Sequence, residues 1–423
     1  MKSNFKNLIN FLMKNLIYGF NELSILFVHL IKMFSVLIDS IFLSKFQNKK
    51  NFYPKKKNLK IIVFKTGNLG DHLIAIDCLN FIQKNFNIKQ SWIICKRSSK
   101  FKDLVKLGNY HNVDIFDYFD FFKLIPYLKR GNFIIIDTQP KIRLALLTNF
   151  FLVDNVYISL KSSFIDNFLT RYFKNIKIQK YDENSLESNS LIKQILLGIS
   201  TFNKTEIDNK EFKILFNKYK SSFLKINPSK RNIKSLKSHD EIINKLSNYK
   251  KTIYLYYGTS GKATHRLAPL NWLEDLLKDI IQDFNIILVG GKSELVLKNS
   301  INPKLYTSFE LINKFDVFQW SFILSNSKYK LPLLAFDGGF SHLYGVHMPY
   351  IFQIFCSSNS KKWRNKSDQA FVYDCLKGGS PNYKPHLFKV PDYCKFSEKA
   401  WEETNPELVA LSFRKWIKEL ELY

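Results

Sequence analysis

From Leu59 onward, short apolar runs alternate with glycine-containing polar turns and stretches of helical period. Lys60–Phe64 is the first run, and an unbroken apolar stretch of that length fits a strand buried on both faces of a parallel sheet. It enters Thr66-Gly67-Asn68-Leu69-Gly70-Asp71, after which Leu73, Ile76, Leu79 and Ile82 predict a helix over His72–Asn85. Ser91–Cys95 and Phe133–Ile136 read as further strands, the latter ending in Asp137-Thr138-Gln139. A second series begins with Ile253–Tyr257 and Gly258-Thr259-Ser260-Gly261, followed by a helix over Asn271–Gln282. Ile286–Val289 then runs into Gly290-Gly291, and Leu333–Phe336 into Asp337-Gly338-Gly339 before a helix-like stretch, His342–His347. Strand, glycine turn and helix in this order predict two parallel α/β domains, over residues 58–220 and 251–400. A Lys/Asn/Ser-rich connection with some helix, 221–250, joins them, and the segment 401–423 closes the chain with helical spacing at Leu408, Leu411, Phe413 and Ile417.

Residues 1–57 differ in character. The stretch from Phe5 to Phe46 is apolar but broken by Lys14, Glu22, His29, Lys32 and Asp39, so no charge-free run approaches the ~18–20 residues that cross a bilayer. No small-residue cleavage site follows it, as a secretory signal requires. The pattern fits one or two interfacial helices, with Lys55, Lys56 and Lys57 facing anionic lipid. The alternative is an extra helical pair packed on the body of the protein.

Composition narrows the partners. The 423 residues carry Lys+Arg 64 against Asp+Glu 36, a net charge of +28, and 46% hydrophobic residues exclude a disordered chain. Such a charge suits nucleic acid, an anionic membrane or phosphorylated substrates, although AT-rich coding alone also enriches Lys, Asn, Ile and Phe together. No zinc-finger spacing or RNP-like aromatic motif is present, so no nucleic acid partner is expected. The five scattered cysteines form no C-x-x-C pair, which fits a reducing cytoplasm.

The strand-end turns carry the candidate chemistry. Asp337-Gly338-Gly339-Phe340-Ser341-His342 could bring backbone N–H groups close to a diphosphate while Asp337 accepts sugar hydroxyls; an ordinary capped turn is the plainer alternative. Asp71, at the start of a helix, reads as a helix cap or as a general base. Neither turn is a Walker A loop or a G-x-G-x-x-G fingerprint.

Taken in order, the motifs resemble glycosyltransferase family 9, the lipopolysaccharide heptosyltransferase family. Phe64-Lys65-Thr66-Gly67-Asn68-Leu69-Gly70-Asp71 is similar to its opening motif, and Ile136-Asp137-Thr138-Gln139 with Arg143 to its Asp-x-Gln element. Glu187 through Ile199 resembles the helix closing its first domain, and Arg266 through Trp272 its Arg-Trp-Pro segment. Gly290-Gly291-Lys292-Ser293-Glu294 is similar to its Gly-Gly-x-x-Glu turn, and Asp337 through Leu343 to its Asp-x-Gly-x-Ser-His signature. Asn405-Pro406-Glu407 resembles the entry to its last helix, while residues 1–57 have no counterpart.

The resemblance implies a GT-B fold, two facing Rossmann-like domains with an N-terminal helical extension, and an inverting transfer of a heptose or related sugar from a nucleotide diphosphate. It implies no cofactor and no catalytic metal, and the chain contains no D-x-D. Asp71 becomes the base toward the acceptor hydroxyl, with Lys65, Asn68, Gln139 and Arg143 on the acceptor side. Thr259, Ser260, Lys262, His265, Arg266, Glu294, Asp337, Gly338, Gly339, Phe340, Ser341 and His342 become the donor side. The partners implied are a nucleotide sugar such as ADP-heptose and a lipid-linked or lipopolysaccharide-core acceptor. The place implied is the inner face of the cytoplasmic membrane. The chain departs from the family at His265-Arg266-Leu267-Ala268, where Lys commonly precedes Arg/His-Trp-Pro. Since His is largely neutral at pH 7, that departure keeps open a catalytically degenerate GT-B protein that binds nucleotide sugar or glycolipid without transfer.

Overall fold

The computed structural model describes residues 59–65, 69–86, 88–95, 105, 112–117, 133–138, 156–160, 176–179, 185–203, 214, 228–246, 251–258, 266–295, 300–356, 358–365, 367, 369–375 and 400–420. The expected extension over 1–57 lies outside them, as do Asn68, Gln139, Arg143, Thr259, Ser260, Lys262 and His265. Among the described residues no helix is long and apolar enough to cross a membrane.

The first half contains strands β1 (Leu59–Phe64), β2 (Ile88–Cys95), β3 (Val113–Asp117), β4 (Phe133–Asp137), β5 (Val156–Leu160) and β6 (Ile176–Gln179). Helix α1 (Leu69–Asn85) links β1 to β2, and α2 (Glu187–Asn203) follows β6. All pairings are parallel, in the spatial order β3-β2-β1-β4-β5-β6. Ile61, Val63, Ile93, Ile134, Ile136 and Ile158 bury against Ile76, Leu79, Ile192 and Ile195 of α1 and α2. Gly198 lets α2 approach β4 closely, because a Cβ there would lie 2.3 Å from the Ile134 side chain.

The second half opens with α3 (Lys230–Leu246), then β7 (Lys251–Tyr256), α4 (Leu270–Ile280), β8 (Phe284–Gly290), β9 (Ser308–Ile312) and α5 (Val317–Asn326). It continues through β10 (Leu333–Phe336), α6 (Gly339–His347), β11 (Ile351–Phe355), α7 (Ser360–Trp363), β12 (Phe371–Asp374) and α8 (Pro406–Glu419). The sheet order is β12-β11-β10-β7-β8-β9, so each half repeats the 3-2-1-4-5-6 order of a dinucleotide-binding fold. Alternate residues of these strands face opposite layers. Leu255, Leu288, Leu334 and Phe352 pack toward α4 and α8, whereas Tyr254, Ile287, Leu333 and Ile351 join the core that continues into the first half.

The stretch read as a connection, 221–250, contains α3, whose Ile242 and Ile243 are buried in that shared core. His239 on α3 hydrogen-bonds the Tyr254 hydroxyl at 2.5 Å, so α3 is built into the second half. Two helices also begin earlier than their periodicity predicts. Helix α1 starts at Leu69 and α6 at Gly339, because glycines that look like turn residues are accommodated in the first helical turn.

Candidate active site

In a sheet of this order the connections leave β1 and β4 in opposite directions, opening a crevice at their carboxyl ends. The strand-end motifs lie at that position in both halves. Lys65 follows β1 beside Thr138 after β4, whose hydroxyl donates to the Phe64 carbonyl at 2.8 Å. In the second half, Gly258 after β7 lies beside Gly338 after β10.

The two crevices face each other through the first turns of α1 and α6. A Cβ on Gly70 would lie 2.5 Å from His342 Cδ2, and one on Gly339 would lie 3.6 Å from Leu69 Cβ. The absence of a side chain at Gly70 is what lets His342 approach α1 this closely. The partially positive ends of both helices therefore point into one cleft, a field that favours an anionic ligand.

On the first-half wall, Asp71 lies inside the first turn of α1, which sets aside its reading as the helix cap. Its Oδ1 is 3.3 Å from Lys65 Nζ, and its side chain is 24% exposed against 4% for Lys65. The same ammonium hydrogen-bonds Glu187 Oε1 at the start of α2. Burial alone would lower the Lys65 pKa, but the Glu187 and Asp71 carboxylates hold it above its ordinary value. Burial would likewise raise that of Glu187, yet Lys65 and then Lys362 bring it down to about 2. Lys65, expected on the acceptor side, is thus enclosed between two carboxylates.

On the second-half wall, Asp337 is buried, with Oδ2 3.1 Å from Arg266 Nη1 and Oδ1 3.9 Å from His342 Nε2. His342 is held below its ordinary pKa chiefly by burial, which outweighs the carboxylates of Asp337 and Asp71. It is therefore a neutral imidazole near pH 7. Glu294 fits into a cradle of glycines: a Cβ on Gly258 would lie 2.4 Å from Oε1, and one on Gly290 2.7 Å from Cγ. Gly290 also has φ 147°, a conformation that side-chain-bearing residues rarely adopt. The carboxylate accepts from the Gly291 N–H and the Ser293 hydroxyl, both at 2.6 Å.

The signature turn, Asp337 through His342, is held by its own contacts. The Tyr256 side chain at the end of β7 packs against it: a Cβ on Gly338 would lie 2.7 Å from the phenol oxygen, and the Tyr256 and Phe340 rings are 5.4 Å apart. Burial and Glu294 push that phenol above its ordinary pKa. The Ser341 hydroxyl turns back to the Gly338 carbonyl at 2.7 Å and so closes the turn instead of facing the cleft.

The structure thus brings together Lys65, Asp71, Arg266, Glu294, Asp337, Gly338, Gly339, Phe340, Ser341 and His342 at the paired crevices. It adds Glu187, Lys362 and Tyr256, which the turn motifs did not mark. Glu187 looks in sequence like an acidic first-turn residue, and Lys362 is hidden in a Lys-rich background. Among the described residues, no group of three or more His, Cys, Asp or Glu is placed to hold a metal ion.

No protein-family model and no curated protein matches the sequence. Solved structures do match the fold. The Escherichia coli ADP-heptose lipopolysaccharide heptosyltransferase II superposes with a TM-score of 0.55 at 12% identity, covering 86% of this chain and 99% of that one. A family 9 glycosyl transferase from Veillonella parvula superposes with a TM-score of 0.56 at 13% identity, covering 85% and 97%. Together with the two 3-2-1-4-5-6 sheets, these matches show the GT-B fold that the motif order implies.

Proposed function

We propose that this chain is an inverting glycosyltransferase of the family 9 type. It moves a heptose or related sugar from a nucleotide diphosphate to a lipid-linked or lipopolysaccharide-core acceptor. The observation that carries the proposal is the placement of Asp71. It is a partly exposed carboxylate at the crevice of one half, facing His342 and Asp337 at the crevice of the other.

In the transfer, the acceptor hydroxyl gives its proton to Asp71 while its oxygen forms a bond to the anomeric carbon. The bond from that carbon to the diphosphate oxygen breaks on the opposite face, and its electron pair leaves with the nucleotide. Inversion follows from this single displacement. Lys65 orients Asp71, and the converging helix termini favour the charge that develops on the diphosphate. Asp337, Glu294 and neutral His342 are placed to bind donor hydroxyls. No cofactor or metal belongs to the proposal. ADP-heptose, named for the Escherichia coli neighbour, is the first donor to try. Residues 1–57 would hold the enzyme at the inner face of the cytoplasmic membrane.

A second reading is a GT-B protein that holds a nucleotide sugar without transferring it. It is favoured by His265 at the position of the family's lysine and by the engagement of Arg266 with Asp337. Incubating the full chain with a panel of nucleotide sugars and lipopolysaccharide-core or lipid-linked acceptors, with mass-spectrometric detection, separates the two. Transfer from any donor eliminates the second. Donor binding without transfer across the panel eliminates the first.

A further inference from the structure

One chain of alternating charges crosses from the second half to the catalytic wall of the first. Lys362, on α7, has its Nζ 3.3 Å from Glu187 Oε2 at the start of α2. Glu187 Oε1 accepts from Lys65 Nζ, which is in turn 3.3 Å from Asp71 Oδ1. Helix α7 is tethered at its start, where the Asn359 side chain accepts from the Lys361 N–H and Ser360 hydrogen-bonds Asp374 of β12. Lys362 also lies over the Trp363 ring, its ammonium 4.9 Å from the centroid. Its position is therefore fixed by the second half, while its counter-charge belongs to the first.

We infer that the Lys362–Glu187 pair is a latch that holds the two halves closed and, through Lys65, sets the position of Asp71. The catalytic part of this inference rests on the transferase proposed above, whereas the latch itself does not. With the latch made, two ammonium groups and two carboxylates alternate and their charges cancel. When the halves part, Lys362 leaves Glu187, and Lys65 remains between the Glu187 and Asp71 carboxylates without it. Lys65 is then drawn toward the more buried carboxylate, and its hold on Asp71 loosens. Asp71 is thus fully positioned only when the cleft is shut, which keeps proton abstraction in step with exclusion of water. Glu187 and Lys362 touch no substrate in this scheme. They are positioning residues.

The test compares the full chain with Lys362→Met, Glu187→Gln, the double variant and Lys362→Arg, after melting curves show that each is folded. Small-angle X-ray scattering should give a larger radius of gyration for both single variants. The double variant should open no further than either one, since both remove the same pair. Lys362→Arg should scatter like wild type. In transfer assays Lys362→Met should lose at least tenfold in kcat with donor KM within threefold, and Lys362→Arg should restore it. Wild-type scattering from both single variants would overturn the latch, whatever the turnover. An opened Lys362→Met protein with wild-type kcat would overturn the coupling to Asp71. If the wild type transfers no sugar at all, the transferase proposal fails while scattering still decides the latch.

Discussion

Replacing Gly70 by alanine sets two effects of known size against each other. Within a helix, alanine is favoured over glycine by about 1 kcal/mol, so α1 alone would be strengthened. The new methyl, however, would lie 2.5 Å from His342 Cδ2 and 3.1 Å from Cγ. Carbon atoms rest at about 3.5–4.0 Å, so the imidazole must retreat by about an ångström. The His342 side chain is 12% exposed, with Asp337 Oδ1 3.9 Å from its Nε2, and inserting a methyl into such packing costs about 1–3 kcal/mol. Because the clash exists only with the halves together, the closed form should lose up to about 2 kcal/mol net, or roughly thirtyfold in population. Scattering should show opening in Gly70→Ala without a drop in the helical signal of the folded protein. Adding His342→Ala should remove the clash and restore closure, giving a coupling of at least about 1 kcal/mol in a double-mutant cycle. A Gly70→Ala protein that stays closed and turns over like wild type would refute the facing of these two walls.

Further outcomes follow from the buried charges and the signature turn. Glu187 titrates near pH 4.5 when unfolded and about 2 when folded, so its contribution is present above pH 4.5 and lost as pH falls toward 2. That difference corresponds to about 3 kcal/mol, and Glu187→Gln should flatten the acid limb of a urea-denaturation series over this window. An unchanged limb would show that the Lys65 and Lys362 pairs do not stabilise the carboxylate. Tyr256→Phe removes a buried hydroxyl that lies against the Gly338 turn and should cost about 1–3 kcal/mol by thermal melting. Donor affinity should hold, and a fall would mean that the phenol itself contacts the donor.

The parts of the fold that could be read from sequence are those whose burial leaves a continuous pattern. β1, β4, β7, β8 and β10 are interior strands, and their apolar runs stand out against a polar background. Edge strands such as β3, Val-Asp-Ile-Phe-Asp, and β6, Ile-Lys-Ile-Gln, break the run with charge and escaped notice. The same logic divides the site. Asp71 and Asp337 follow buried strands by a few residues, so topology alone places them at the crevice. Glu187 is 122 residues from Lys65, and no local pattern reveals a pair that only tertiary folding creates. Tyr256 reads as one more apolar strand residue, because its contact with the Gly338 turn depends on β10 packing beside β7. The basic excess also takes a different form in the structure. In the described cleft Lys65, Lys362 and Arg266 are each matched to a carboxylate, so the anion preference there comes from helix termini more than from net charge.

The most direct test of the central claim is acceptor-dependent release of nucleoside diphosphate by wild type and Asp71→Asn, measured at equal donor occupancy. With Asp71 as the base, Asp71→Asn should lose about 10²–10⁴-fold in kcat while the donor Kd stays unchanged. A kcat within a few-fold of wild type, or a loss of donor binding that accounts for the whole effect, would contradict it.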